Sequence, residues 1–106
     1  IIQSKWLKKS INGKILLGDN MENSHIFKDE KEIYSIIGKN VRYYRKLYSL
    51  TKKEMTQEAL AEYANVSTSL IGNLESKKTI QGLSIYNLYK ISRILNVPIE
   101  NFFIDR

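Results

Sequence analysis

The stretch that decides the fold is residues 56–75, TQEALAEYANVSTSLIGNLE. It opens on Thr56, whose hydroxyl suits the capping position before a helix. Small and apolar residues then recur at three- and four-residue steps, which is the period of a helix with one buried face. The stretch therefore predicts a helix from Gln57 to Ala64. Its inward residues are Leu60, Ala61 and Ala64.

The second half of this stretch predicts a tight turn and another short helix. Asn65 suits the left-handed backbone that ends a helix, because asparagine tolerates that conformation better than most residues. Ser67 then suits the cap of a helix that covers Thr68 to about Ser76. Two short helices joined in this way leave the first turn of the second helix free to project. Its inward residues are Ile71 and Leu74.

A longer helix is predicted ahead of this pair. Apolar and tyrosine residues recur on one face from residue 33 onward, so Arg42, Arg45 and Lys46 are expected to point toward solvent or a ligand. The tyrosines are interpreted as packing residues rather than as stacking platforms for single-stranded nucleic acid. The residues at this spacing are Ile33, Ile37, Val41, Tyr44 and Tyr48, and Tyr43 is also expected to pack.

Two further helices are predicted downstream, which gives an all-α fold of five helices. Ser84 suits the cap of the fourth helix, and Pro98 suits the first position of a final short helix. No segment after residue 30 has the alternating pattern of a strand. The apolar residues at helical steps are Ile85, Leu88, Ile91 and Leu95 in the fourth helix, and the last helix holds Phe102 and Phe103.

The first 32 residues read differently from the rest. Residues 10–15 centre on an Asn-Gly pair, which favours a type I′ turn and a short hairpin. Because the first methionine is Met21, residues 1–20 are either an upstream segment or a genuine N-terminal arm. Residues 21–32 are then a linker or helix lead-in, and residues 33–106 form the helical domain.

Charge and composition narrow the class of partner. Seventeen basic against eleven acidic residues leave a net charge of +6, and residues 39–53 contain six basic residues and no acid. Such a patch favours a polyanion, most often nucleic acid or an anionic membrane surface, although a merely solvated cationic face is the plainer interpretation. We expect a cytoplasmic protein with no membrane partner, because no stretch resembles a membrane span or a signal peptide.

The same composition argues against an enzyme and against a metal or cofactor. The chain has no cysteine and only one histidine, His25, which excludes disulfides, thiol nucleophiles and a classical zinc finger. It also lacks a Ser/His/Asp arrangement, a glycine-rich phosphate loop and metal-ligand spacing. We therefore expect a binding protein without a cofactor.

These segments together resemble the Cro/cI-type (XRE-like) helix-turn-helix family of transcriptional regulators. The resemblance covers about residues 35–104, with several motifs in the family's order and close to its spacing. It implies a lambda-repressor-like domain that binds double-stranded DNA in a sequence-specific way. The matching motifs are Thr56-Gln57-Glu58-x-Leu60-Ala61, Asn65-Val66-Ser67, Ile71-x-x-Leu74-Glu75 and the apolar pattern from Ser84 to Phe103.

The resemblance implies roles for individual positions of the helix pair. Thr68, Ser69 and Asn73 fall where the family's recognition helix meets base edges, and asparagine can bond adenine with two hydrogen bonds. Each also has a plainer interpretation as a surface residue. Gln57 falls where the family contacts a phosphate and buttresses the recognition helix, while Glu75 is interpreted as structural.

Further phosphate contacts are expected from basic residues on either side of the pair. The candidates are Arg42 and Arg45 before it and Lys77 and Lys78 after it, with plain solubility charges as the alternative. The segment from Arg45 to Gln57 is longer than the family usually allows. Either the first helix runs on or a lysine-bearing loop is added. Lys77 also stands near the point where a glycine commonly ends the recognition helix, which leaves that loop open.

A homodimer on a pseudo-palindromic site is expected, because one copy reads too few bases to be selective. Ile99, Phe102 and Phe103 are the candidate interface, since similar proteins pair through their last helix; closure of the core is the equal alternative. A second functional class is also open: the chain is an antitoxin or a partner-controlled regulator whose main role is to bind another, regulatory protein. A third alternative is that the chain is the DNA-binding domain of a longer ligand-sensing regulator.

Overall fold

All regular structure in the described part of the chain is helical. The computed structural model describes residues 27–78 and 83–106, so the hairpin predicted at residues 10–15 lies outside the described residues. Four α-helices and a final 3₁₀ helix confirm the all-α class, but the last of the five expected helices is 3₁₀ rather than α. The elements are α1 (Glu30–Thr51), α2 (Gln57–Ala64), α3 (Thr68–Glu75), α4 (Ile85–Leu95) and the terminal 3₁₀ helix (Ile99–Phe103).

Helix α1 begins three residues earlier than the sequence pattern of apolar residues indicates. Asp29 accepts the N–H of Glu32 at 2.8 Å, and the Glu32 carboxylate accepts the Asp29 N–H at 3.4 Å. This reciprocal arrangement is a capping box, which satisfies two backbone donors at the start of a helix. The end of the segment interpreted as a linker, from Glu30 onward, is therefore helical.

The extra length between the first and second helices is divided between a longer helix and a short loop. Helix α1 runs on to Thr51, and the Lys52 N–H donates to the Tyr48 carbonyl at 2.9 Å. Met55 is then buried in the core, and its N–H donates to the Ser49 hydroxyl at 2.8 Å. The loop is therefore tied to the last turns of α1 by both packing and hydrogen bonds.

The turn between α2 and α3 has the local structure that the sequence predicts. Thr56 and Ser67 cap the two helices by accepting the N–H groups of Ala59 and Leu70, each at 3.0 Å. Asn65 lies in the left-handed region with φ 55°, where its short polar side chain is tolerated. These local signals therefore mark the start of both helices and the end of α2.

The core lies between α1, the helix pair and α4. Ser84 caps α4 by accepting the Asn87 N–H at 3.0 Å. Ile85 is 83% exposed and Tyr43 is 49% exposed, so neither belongs to the core. Tyr43 does pack edge-on against Tyr44, with ring centroids 5.0 Å apart. The largest fully buried side chains are Phe102, Met55, Leu60, Ile71, Leu74, Ile91, Val41 and Asn40.

A buried asparagine joins the middle of α1 to the end of the chain. The Asn40 amide donates to the Phe102 carbonyl at 2.9 Å and to the Ile104 carbonyl at 2.8 Å, and its oxygen accepts Arg106 Nε at 3.0 Å. The Arg106 guanidinium also bonds the Tyr44 hydroxyl and lies over its ring. Because all of these groups are paired, burying the amide is compatible with stability.

Candidate nucleic-acid interface

Helix α3 divides its residues between the core and the surface. Ile71 and Leu74 are completely buried, whereas Thr68, Ser69 and Asn73 are exposed on the opposite side. Ser69 and Asn73 lie four residues apart and are neighbours on this outward face, and Thr68 lies at its edge. The residues expected to contact bases are thus grouped on one surface.

Two residues of this outward face were missed by the sequence reasoning. Gly72 is half-buried between Ser69 and Asn73, and Ser76 follows at the end of the helix with its hydroxyl bonded to the Asn73 carbonyl at 3.2 Å. The helical period would have found both, since they lie three and seven residues after Ser69. Without a side chain, Gly72 leaves the backbone of α3 open to close approach.

The inner side of α3 is held by a buried ion pair. Glu75 accepts Arg45 Nε and Arg45 Nη2, each at 2.7 Å, and Arg45 Nη1 donates to the Met55 carbonyl at 3.0 Å. These hydrogen bonds with Glu75 raise the pKa of Arg45 above its ordinary value, against the opposing effect of burial. The expectation that Arg45 points toward solvent is therefore wrong, because its guanidinium is used inside the protein.

Two further side chains meet the same carboxylate. Gln57 Nε2 donates to Glu75 Oε1 at 3.0 Å, and Arg42 Nη1 lies 3.9 Å from that oxygen while its side chain stays 55% exposed. Glu75 thus connects α1, α2 and α3 at one point, which agrees with the structural role expected for it. A buried charge with several partners of fixed geometry orients the helices that supply them.

A glycine allows α1 to approach α3 at this point. A Cβ atom at Gly38 would lie 1.8 Å from the Leu74 carbonyl oxygen and 2.8 Å from its carbon. Both are backbone atoms that no side-chain rotation can move. Gly38 therefore permits a contact between α1 and the end of α3 that any other residue would prevent.

A model of a helix-turn-helix family matches residues 41–102, from the middle of α1 to the 3₁₀ helix. The chain belongs to the helix-turn-helix family of Cro/cI-type (XRE-like) regulators. It is accordingly a DNA-binding regulator with α2 and α3 as its helix pair. A search of the curated proteins finds no significant match. None of the helices in the described ranges is long and apolar enough to cross a membrane.

The remaining basic candidates of the helix-turn-helix domain lie at the surface. Arg42 is largely exposed beside the Glu75 cluster, and Lys77 and Lys78 are exposed just after α3. Lys77 has φ 64°, the left-handed conformation that glycine adopts most easily, and its N–H donates to the Leu74 carbonyl at 3.3 Å. The loop therefore keeps the usual left-handed end of the helix without the glycine.

The three residues expected at a dimer interface have different environments. Phe102 is completely buried against Tyr44, with ring centroids 5.7 Å apart, so it closes the core and is not available to a second copy. Ile99 is half-buried, and Phe103 is half-exposed. Phe103 lines an open apolar groove of about 310 Å³ together with Ile33 and Ile85.

Proposed function

We propose that the protein is a sequence-specific transcriptional repressor that binds a pseudo-palindromic DNA site as a homodimer. One observation carries the proposal: the outward face of α3 exposes Thr68, Ser69 and Asn73, while Glu75 fixes the inner side of the same helix. A rigid helix that presents short hydrogen-bonding side chains suits the major groove, where every base pair has its own pattern of donors and acceptors.

The proposed contacts divide into two kinds. Thr68, Ser69 and Asn73 would contact base edges, and Asn73 can bond an adenine with both its amide oxygen and its amide nitrogen. Arg42 is exposed beside the helix pair and would contact the phosphate backbone, which adds affinity without sequence preference. Arg45 is not included, because its guanidinium is buried against Glu75.

The groove beside Phe103 is the surface we propose for dimerisation. Ile85 and Phe103 are exposed at its edge, and Ile33 and Leu88 lie in its wall. Pairing across a two-fold axis would bury this apolar surface and place two copies of α3 in successive major grooves, about 34 Å apart. A dimer bound in this way represses by blocking access of the polymerase to the promoter.

Selection from random double-stranded DNA, followed by sequencing and titration, tests the proposal. We expect an enriched, roughly palindromic site whose affinity falls about tenfold or more in Thr68→Ala or Asn73→Ala, because each good base contact contributes about 1–3 kcal/mol. Thr51→Ala, which removes an exposed threonine at the end of α1, is the matched control and should bind as tightly as the unaltered protein.

The salt dependence of binding separates base contacts from phosphate contacts. Arg42→Ala should weaken binding to all DNA sequences alike and reduce the salt slope by about one. Weak, salt-sensitive binding without an enriched site would contradict the proposed specificity. Unchanged affinity for DNA in both Thr68→Ala and Asn73→Ala would contradict the proposed role of the outward face of α3.

A further inference from the structure

The outward face of α1 carries an apolar strip that the helix-turn-helix function does not use. Tyr43, Leu47 and Leu50 are 49%, 41% and 85% exposed, and they follow one another at four- and three-residue steps. Single exposed leucines are ordinary in soluble proteins. Three large apolar residues at helical spacing, however, form a continuous strip, and such strips mark sites of interaction.

Cations surround this strip. An open groove of about 360 Å³ is lined by the three apolar residues together with Lys39, Arg42 and Lys46, and no carboxylate lines it. Within residues 27–78 and 83–106, the only ion pairs join Glu75 to Arg42 and Arg45. Lys39 donates to an oxygen of the last residue, Arg106, at 2.6 Å, and neither Lys39 nor Lys46 is paired with an aspartate or a glutamate in the described part of the chain. Tyr43, Leu47 and Leu50 with Lys39 and Lys46 form what we name the α1 outer face, and Arg42, the proposed phosphate contact, lies at its edge.

We propose that the α1 outer face binds an acidic, amphipathic segment of another protein. A helix that lays an apolar stripe along Tyr43, Leu47 and Leu50 would remove that strip from water. Aspartate and glutamate residues beside such a stripe would then meet Lys39 and Lys46, which selects acidic partners and rejects basic ones. The combination of apolar contact and opposite charge defines the chemistry of the partner.

Charge argues against two other occupants of the α1 outer face. A second copy of the chain would bring the same cations against one another, which costs free energy in an interface. Residues 1–26 are also a poor match, because they contain four lysines against two acidic residues. A partner must therefore bring the negative charge from another molecule.

The apolar strip argues against DNA and against an anionic membrane as occupants of the α1 outer face. A DNA phosphate placed beside Leu47 and Leu50 would lose hydration without gaining a hydrogen bond from them. A membrane-binding helix needs a large exposed apolar face, whereas α1 buries most of its apolar residues in the core. An acidic protein segment satisfies both the strip and the cations.

Peptide display on the full chain tests this inference. The probe is a random library of peptides of about 15 residues, which is about four helical turns. We expect the enriched peptides to be acidic, with apolar residues at three- and four-residue steps. The affinity of an enriched peptide, measured by fluorescence anisotropy, should fall about tenfold or more in the double variant Leu47→Gln/Leu50→Gln. The single variant Leu50→Gln should also weaken peptide binding. It leaves Leu47, the more buried of the two leucines, in place and so disturbs the fold less.

Two further variants make the test specific to this surface. Tyr86→Gln, on α4, removes a large side chain that is 66% exposed on another surface, and it should leave peptide binding unchanged. The double variant Lys39→Glu/Lys46→Glu should lower the affinity for the acidic peptide and should make that affinity less sensitive to salt. Enrichment of neutral or basic peptides, absence of enrichment, or unchanged affinity in the leucine variants would overturn the inference. Stronger binding to anionic phospholipid vesicles than to any peptide would do so as well. None of these outcomes depends on DNA binding.

Discussion

Replacing Gly38 by alanine tests how closely α1 must approach the end of α3. The added Cβ would lie 1.8 Å from the Leu74 carbonyl oxygen, whereas ordinary van der Waals contact begins at 3.4 Å. The two helices must therefore separate by roughly 1.5 Å, since backbone atoms cannot be relieved by a change of rotamer. The same separation would stretch the hydrogen bonds between Arg45 and Glu75, which are 2.7 Å long.

Two effects of opposite sign decide the outcome of Gly38→Ala. Alanine favours the helix over glycine by about 1 kcal/mol. Overpacking in a well-packed region costs about 1–3 kcal/mol and more where backbone must move. The clash with Leu74 is with backbone, which puts the cost at the top of that range, about 3 kcal/mol. After the helix gain of about 1 kcal/mol, we expect a net loss of about 2 kcal/mol in the free energy of unfolding. For a small domain that is a large part of the total.

The chain supplies a matched control for this experiment. Gly72 is also helical, but a Cβ there would meet only the Gln57 side-chain oxygen, at 3.5 Å. Urea unfolding followed by circular dichroism should therefore show Gly72→Ala to be as stable as the unaltered protein, or more stable by up to about 1 kcal/mol. A Gly38→Ala variant as stable as the Gly72→Ala variant would refute the reasoning. Because Gly72 lies on the outward face of α3, its alanine variant should instead lose affinity for DNA.

Two other predictions concern the residues that end α3. Glu75→Ala should lower the free energy of unfolding by about 3–5 kcal/mol because it leaves Arg45 buried without its partner. Urea unfolding should show much of that loss recovered in the double variant Arg45→Met/Glu75→Leu, whereas Glu62→Ala at the surface should have almost no effect. Lys77→Gly should raise the free energy of unfolding by about 0.5–1 kcal/mol, because glycine adopts φ 64° without strain. Lys78→Gly is its control, and equal stability of the two glycine variants would contradict this explanation.

Sequence reasoning succeeded where the signal is local. Thr56, Asn65, Ser67 and Ser84 fix helix ends through their own side chains and backbone, so their positions can be read from the residues alone. The apolar period predicted the core face of α1 for the same reason. Asp29 carries an equally local signal in its capping box, and the helix start was placed too late because that signal was not used.

Sequence reasoning failed where a residue's contact lies far away along the chain. Arg45 was expected at the surface, as most arginines are, but its partner Glu75 is thirty residues away in the sequence. Asn40 meets carbonyl groups more than sixty residues away, and Gly38 is required by the backbone of another helix. No periodicity within one helix reveals such contacts. The final short helix was predicted without its type, because five residues are too few to distinguish a 3₁₀ helix from an α-helix.

The two-sided character of α3 has a consequence for redesign. Its inner side, with Ile71, Leu74 and Glu75, is engaged by core packing and by side chains from two other helices. On its outward face, Thr68 and Ser69 are exposed and contribute little to the stability of the fold. Substitutions on the outward face should therefore change the free energy of unfolding very little. A library of variants restricted to this face could be screened for new DNA preferences while most of its members still fold. The same separation would allow related regulators to diverge in specificity while keeping a common scaffold.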